Sequence, residues 1–314
     1  MVILHTVQTL FPIFTVIALG YLLTRRAFLG KAFLDELNKL VYWICLPALM
    51  VASLDRAESI SGESLPIILV FFAATFSVMV LSLLVARLLR LRAWQYGTFM
   101  QGSFRGNIAF IGIPILLYAL RDLGQAEQNA ILAQAVFVFA PIMILYNVLS
   151  VIVLLWGRDG ARGSTLSTTL KNLALNPLIL AAATGLVLYL LPVDLPGAVV
   201  DTLQFLGRMA APAALVCVGG GMALTSMEGR YRSASFAASL KVFVNPLMAW
   251  LISLPFGLSP TGTLILLIFS AAPTAVASYI LVKQLNGDAA MSSGAIVLST
   301  LASILSLSVV VGLF

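Results

Sequence analysis

The sequence predicts an all-α membrane protein with ten transmembrane helices, and three observations carry that expectation. Of 314 residues, 61% are hydrophobic and 10% charged, against about 25% charged in a soluble domain. Apolar stretches recur at about 20 residues, the length of helix that crosses hydrocarbon. Basic residues fall between these stretches and collect on alternate connections. With a mean hydropathy of +1.06, the chain has too few charges to build a water-facing surface, so its solvent is lipid.

Taken in order, the first span covers about 5–24. It has no basic segment before it and is followed by Arg25 and Arg26, so it reads as a retained anchor and not a cleaved signal peptide. Four more follow at about 37–54, 65–88, 95–120 and 128–156. Residues 157–171 (GRDGARGSTLSTTLK) are polar and rich in Gly, Ser and Thr, the composition of a flexible cytoplasmic linker. Beyond it lie spans at about 172–191, 200–225, 234–256, 262–285 and 290–313. The organisation is therefore a five-helix unit (1–156), a linker (157–171) and a second five-helix unit (172–314).

The odd-numbered connections carry Arg25, Arg26, Lys31, Arg87, Arg90, Arg92, Arg158, Arg162, Lys171, Arg230, Arg232 and Lys283, whereas the even-numbered ones carry Arg56 and Arg121. Basic loops stay in the cytoplasm, which puts both termini outside a plasma (bacterial inner) membrane. The net charge of +6 is thus a topology signal and calls for no nucleic acid. Cys45 and Cys217 sit singly in apolar runs, without the spacing of a metal site or a disulfide framework, and read as core packing.

Two related units of five helices must insert upside down relative to one another. Pro12 and Gly20 in helix one recur as Pro177 and Gly185 in helix six, and Leu46-Pro47-Ala48-Leu49 in helix two recurs as Pro212-Ala213-Ala214-Leu215 in helix seven. Helix four contains Ser103-Phe104-Arg105-Gly106-Asn107, and helix nine contains Pro273; both are poor choices for unbroken helix. Each break lies about eleven residues in, roughly 16 Å at 1.5 Å per residue, near the bilayer centre. The second half-helices then begin at mid-membrane, with Asn107 and Thr274 as candidate caps and electropositive N-termini suited to an anion.

Arg105 adds an intramembrane cation able to hold a carboxylate in a bidentate contact; the alternative is that it snorkels or bonds exposed carbonyls. Arg208 and Lys241 read more simply as snorkelling, Gly219-Gly220-Gly221 as close helix packing, and Asn176-Pro177 and Asn245-Pro246 as helix starts or kinks. All twelve acidic residues map to loops or helix ends, which disfavours a cationic substrate. The candidate substrate contacts are Arg105, Gly106, Asn107 and Ile108 at one break, Pro273, Thr274 and Ala275 at the other, Pro47 in helix two and Gln134 in helix five.

At FRGNIAFIGIPILL (104–117), NPLILAAATGL (176–186) and SAAPTAVASYILVKQLNGD (270–288) the chain resembles the auxin efflux carrier family, which includes plant PIN carriers and bacterial carboxylate transporters. The resemblance implies inverted repeats with crossover helices four and nine, a scaffold and a transport domain, elevator-type alternating access and a homodimer. It also implies that the substrate carboxylate sits at Asn107 and at Pro273 with the residues after it. Where many relatives have Pro before that Asn, this chain has Gly106, so the break is expected to rely on glycine flexibility. The expected function is secondary transport of a small organic anion, a mono- or dicarboxylate, in the efflux direction and with no cofactor. Sodium- or proton-coupled uptake, as in bile-acid symporters, is the alternative within transport. An intramembrane enzyme fares poorly, because the sole histidine is His5 and neither H-E-x-x-H nor G-x-S-x-G occurs. A receptor or channel is separated from a carrier by counterflow.

Overall fold

The computed structural model describes residues 2–55, 62–155, 175–191, 195–224 and 229–314; the linker expected at 157–171 lies outside them. Helix occupies most of the described part of each of the ten stretches expected as spans, with breaks at 105–107 and 272–276, and the described residues hold no strand. Apolar composition sets the lengths, and prolines, glycines and polar residues set the interruptions.

In the first half, α1 is Val2–Arg25, and α2 (Lys31–Leu40) runs through a single π turn at Val41–Cys45 into α3 (Leu46–Asp55). After α4 (Ser64–Leu88) comes the first broken segment: α5 (Ala93–Phe104), a π turn at Ile108–Gly112 and α6 (Ile113–Ala119). The half closes with α7 (Gln125–Leu155). In the second half, α8 is Pro177–Leu190, α9 (Gly197–Arg208) bends at Met209 into α10 (Ala210–Ala223), and α11 (Tyr231–Ser239) passes through a π turn at Leu240–Val244 into α12 (Asn245–Ser253). The second broken segment is α13 (Pro260–Ala271) and α14 (Ala277–Gln284), followed by α15 (Ala289–Gly312). Five runs, Ser64–Leu88, Gln125–Leu155, Gly197–Ala223, Tyr231–Phe256 and Ala289–Gly312, are long and apolar enough to cross a membrane by length and composition.

One detail differs from the sequence reading: the second segment starts at Lys31, not near 37, so Asp35 and Glu36 lie within α2. Of the two Asn-Pro pairs expected as helix starts or kinks, Asn176 is an N-cap, its side chain accepting from Leu178 N and Ile179 N, and Asn245 opens α12 directly after a π turn.

The helices pack as two groups, which meet where α1 lies on α15 and where α7 lies on α3 and α8. In one, α1 lies along α10, α2 joins α10, and α3 packs on α8 and α9. In the other, α4, α5, α7 and α11–α13 pack with one another, and α15 covers α11 and α13. Lipid offers no hydrophobic drive between helices, so close approach through small residues does much of the joining. A Cβ on Gly219 would stand 1.9 Å from the Ile17 carbonyl, and one on Gly97 2.2 Å from that of Val153. The glycine run at 219–221 is thus a packing feature, although Gly221 itself faces open space.

Two polar ties flank the second group. Glu63 accepts from Ser259 N at 3.0 Å and from Ser259 Oγ at 2.6 Å, which fixes the cap of α13. At the other end, Asp288 caps α15 through Met291 N, accepts from Gln95 Nε2 at 2.8 Å and pairs with Arg230 at 3.1 Å.

Candidate functional site

A broken helix strands backbone N–H and C=O groups, and each one left unpaired in hydrocarbon costs several kcal/mol. Here the two broken segments satisfy one another. The chain leaves helix at Arg105 (φ −75°, ψ 103°) and again at Ala272 (φ −53°, ψ 133°). Asn107 N donates to the Pro273 carbonyl at 2.7 Å, and Ala275 N donates to that of Arg105 at 3.0 Å, which pairs Gly106 with Thr274 in an antiparallel bridge. Thr274 is tied twice more: its N–H donates to Ser299 Oγ at 2.9 Å and its hydroxyl to the Gly102 carbonyl at 2.8 Å. Thr274 therefore locks the interruption and does not cap a helix, since α14 starts only at Ala277. Asn107 likewise makes no side-chain cap bond.

Two buried cations flank this bridge. Arg105, 7% exposed, turns its guanidinium to α7, donating to Asn147 Oδ1 at 2.9 Å and Ser150 Oγ at 3.3 Å. Lys241, expected to snorkel, is instead fully buried, and its ammonium donates to the Ser270 carbonyl at the end of α13, where the helix dipole is negative. A Cβ on Gly106 would stand 3.1 Å from Lys241 Cε. Glycine is thus used here for space, since its φ is not in the left-handed region. Among the described residues, neither cation has a carboxylate within ion-pair distance.

Beside the bridge lies a hollow of about 620 Å³, lined by Asn107 and Phe110 from one broken segment, Val276 and Ala277 from the other, Tyr42 from the second segment and Val218 from α10. It runs into a neighbouring hollow of about 640 Å³ through shared Asp35, Asn38, Cys217, Val276 and Ile280. The first N–H groups of both resuming helices have no acceptor within their own helices, so two electropositive ends adjoin the space. Asn107 is 6% exposed, and its amide Nδ2 has no hydrogen-bond partner. A buried donor without an acceptor, set in a cavity wall, is poised for a bound acceptor.

Of the nominated residues, Asn107 lines the hollow, and Gly106, Pro273, Thr274 and Ala275 form the bridge behind it. Ile108 is packed into the core. Pro47 is half-buried and Gln134 is buried with its Nε2 unpartnered; neither is among the residues lining this hollow. Lys241 was read as snorkelling, and Tyr42 was not singled out. A lone cation in an apolar helix was the available signal for Lys241, and Tyr42 gave none.

The match to known proteins is consistent along the chain. Residues 5–311 fit the family model described as "Membrane transport protein". The chain belongs to this family, the auxin efflux carriers. Two relatives support a transporter and not an enzyme. A "Putative malonate transporter" of Rhizobium meliloti (strain 1021) is 24% identical over 302 residues, 93% of this chain and 91% of the relative. An "Uncharacterized transporter" of Methanothermobacter thermautotrophicus is 23% identical over 310 residues, 98% of each chain. The protein is accordingly a multi-pass membrane transporter of a small molecule.

Proposed function

We propose that this transporter carries a small organic anion, a mono- or dicarboxylate such as malonate, with its carboxylate at Asn107 between the electropositive ends of the two resuming half-helices. The unpartnered Asn107 Nδ2 in the wall of the hollow carries this reading. The two buried cations nearby, neither with a carboxylate partner among the described residues, support an anionic cargo. So does the name of the Rhizobium meliloti relative. Asp35, Glu36 and Lys39 line the α2 side of the hollow, so the preference for an anion is assigned to the Asn107 side, where the starts of the resuming half-helices adjoin the space.

The two packing groups support an elevator in which α1–α3 and α8–α10 form the scaffold and the remaining helices move with the bridge. Bends or breaks at the same ordinal places, in segments two and seven and in four and nine, support inverted repeats with four and nine as crossover helices. The mobile group would carry its paired interruptions as one body, because they share backbone hydrogen bonds. The basic connections favour a plasma membrane location with both termini outside, and we take the functional unit to be a homodimer. An inside-negative potential favours export of a free anion by about 2.3 kcal/mol per charge per 100 mV, so the proposed direction is efflux; coupled uptake requires an ion gradient.

The test is counterflow. Purified protein in proteoliposomes loaded with unlabelled malonate should accumulate external labelled malonate transiently, with saturation and without an imposed sodium or proton gradient. Absence of counterflow across a panel of mono- and dicarboxylates would remove the carrier reading.

A further inference from the structure

A second hollow, of about 500 Å³, lies at the other end of the same helices. The hollow at Asn107 is lined by α2 near Asn38 and by the start of the segment that resumes at Ile108. This one is lined by the end of α3, by Leu117 and Leu120 at the end of that segment, and by the first turns of α7. Between the two, Ile111, Ile113 and Leu116 are fully or almost fully buried, so packed side chains separate the hollows along this segment, and the alternation of basic connections puts them toward opposite faces of the membrane.

The chemistry of this recess is distinctive. Its polar wall is Ser53, Gln125, Gln128, Asn129, Gln204 and Arg208: one cation, four amides and a hydroxyl, with no acid among the lining residues. Arg208 ends the 12-residue α9, about 16 Å from that helix's start at 1.5 Å per residue. It is exposed, and it has no carboxylate within ion-pair distance among the described residues. The nearest acid on its own helix, Asp201, is two turns away, and Asp122 at the neighbouring loop pairs with Arg121 at 3.4 Å. The α7 N-terminus adds partial positive charge from a second direction, although Glu127 in its first turn, lining an adjoining hollow, offsets part of it. A guanidinium within a membrane span, facing a polar recess without an acid among the described residues, is arranged for an anion.

Gln128 Nε2 is committed to the Arg121 and Leu123 carbonyls and Gln125 Nε2 to Asn129 Oδ1, which leaves the guanidinium as the donor. We propose that this recess is a second anion-binding station, at which Arg208 holds a carboxylate of the transported cargo on the face opposite to Asn107. The proposal rests on the organic-anion reading for the identity of its ligand, but its charge preference can be tested without it.

The experiment uses full-length purified protein carrying Gln204→Cys, one helical turn from Arg208, with Cys45→Ala and Cys217→Ala. Labelling rates, each divided by the same reagent's rate with a free small thiol, are compared for an anionic and a cationic methanethiosulfonate of similar size, because the thiolate itself favours the cation. The station predicts that the anionic reagent reacts about tenfold faster, by local attraction, that Arg208→Gln abolishes the preference, and that millimolar malonate slows labelling even when Asn107→Ala is added. Equal rates for the two reagents, or a preference unchanged by Arg208→Gln, would overturn the station. A preference that depends on Arg208 without protection by malonate upholds the station and counts against malonate as the cargo, which separates this proposal from the one it builds on.

Discussion

Asn107→Ala separates a binding role from a structural one, because the structure assigns its amide nitrogen no partner in the empty protein. Removing the side chain breaks no hydrogen bond from Nδ2 and removes no helix cap. The stability cost should therefore stay within about 1 kcal/mol, a few degrees in thermal midpoint. Binding should suffer far more. A hydrogen bond to a carboxylate contributes about 1.5–3 kcal/mol, and each 1.4 kcal/mol is about tenfold, so affinity should fall about 10- to 150-fold. The measurement is equilibrium binding of labelled malonate to purified wild type and variant, with thermal unfolding followed on the same samples. Affinity within about threefold of wild type would refute the assignment. A collapse of the thermal midpoint by more than about 10 °C would refute it differently, by showing that Asn107 holds the interruption together.

Lys241→Met replaces a fully buried cation lacking a carboxylate partner by an apolar chain of similar length, a change interiors tolerate; the protein should fold, and binding of malonate should weaken more than binding of acetate. Equal weakening of both would remove Lys241 from the electrostatics of the site. Asp288→Ala should destabilise by about 2–3 kcal/mol in thermal or chemical unfolding, from a lost cap and a stranded Gln95 amide. The Arg230 pair adds little to that sum, because the arginine side chain is 42% exposed. Gly219→Ala drives a methyl into the Ile17 carbonyl and should abolish monodisperse protein in size-exclusion chromatography, whereas the methyl added by Gly221→Ala meets no described atom within 4 Å and should leave the profile unchanged.

The site was partly legible in the sequence. Asn107 and Pro273 stood out because Asn, Gly and Pro interrupt an apolar helix whatever surrounds it, and the structure breaks both segments at those positions. The capping roles expected of Asn107 and Thr274 were misjudged. Capping is a local expectation, but Thr274 is claimed by Gly102 and Ser299, partners 172 and 25 residues away. Arg105 was nominated for its charge alone; the direction of its side chain depended on α7, which supplies Asn147 and Ser150. Lys241 was assigned to snorkelling because a sequence shows depth along a helix but not which neighbours close over it.

What the sequence determined by itself was the medium, the helical content and the places where helix fails, because hydropathy, span length and the steric demands of Pro and Gly act within a few residues of where they occur. What only the tertiary structure decided was which exposed backbone groups satisfy one another, where two buried cations point, and that hollows lie at both ends of the same helices. Those outcomes depend on contacts between segments far apart in the chain, where burial in lipid leaves each polar group only the partners that packing brings to it.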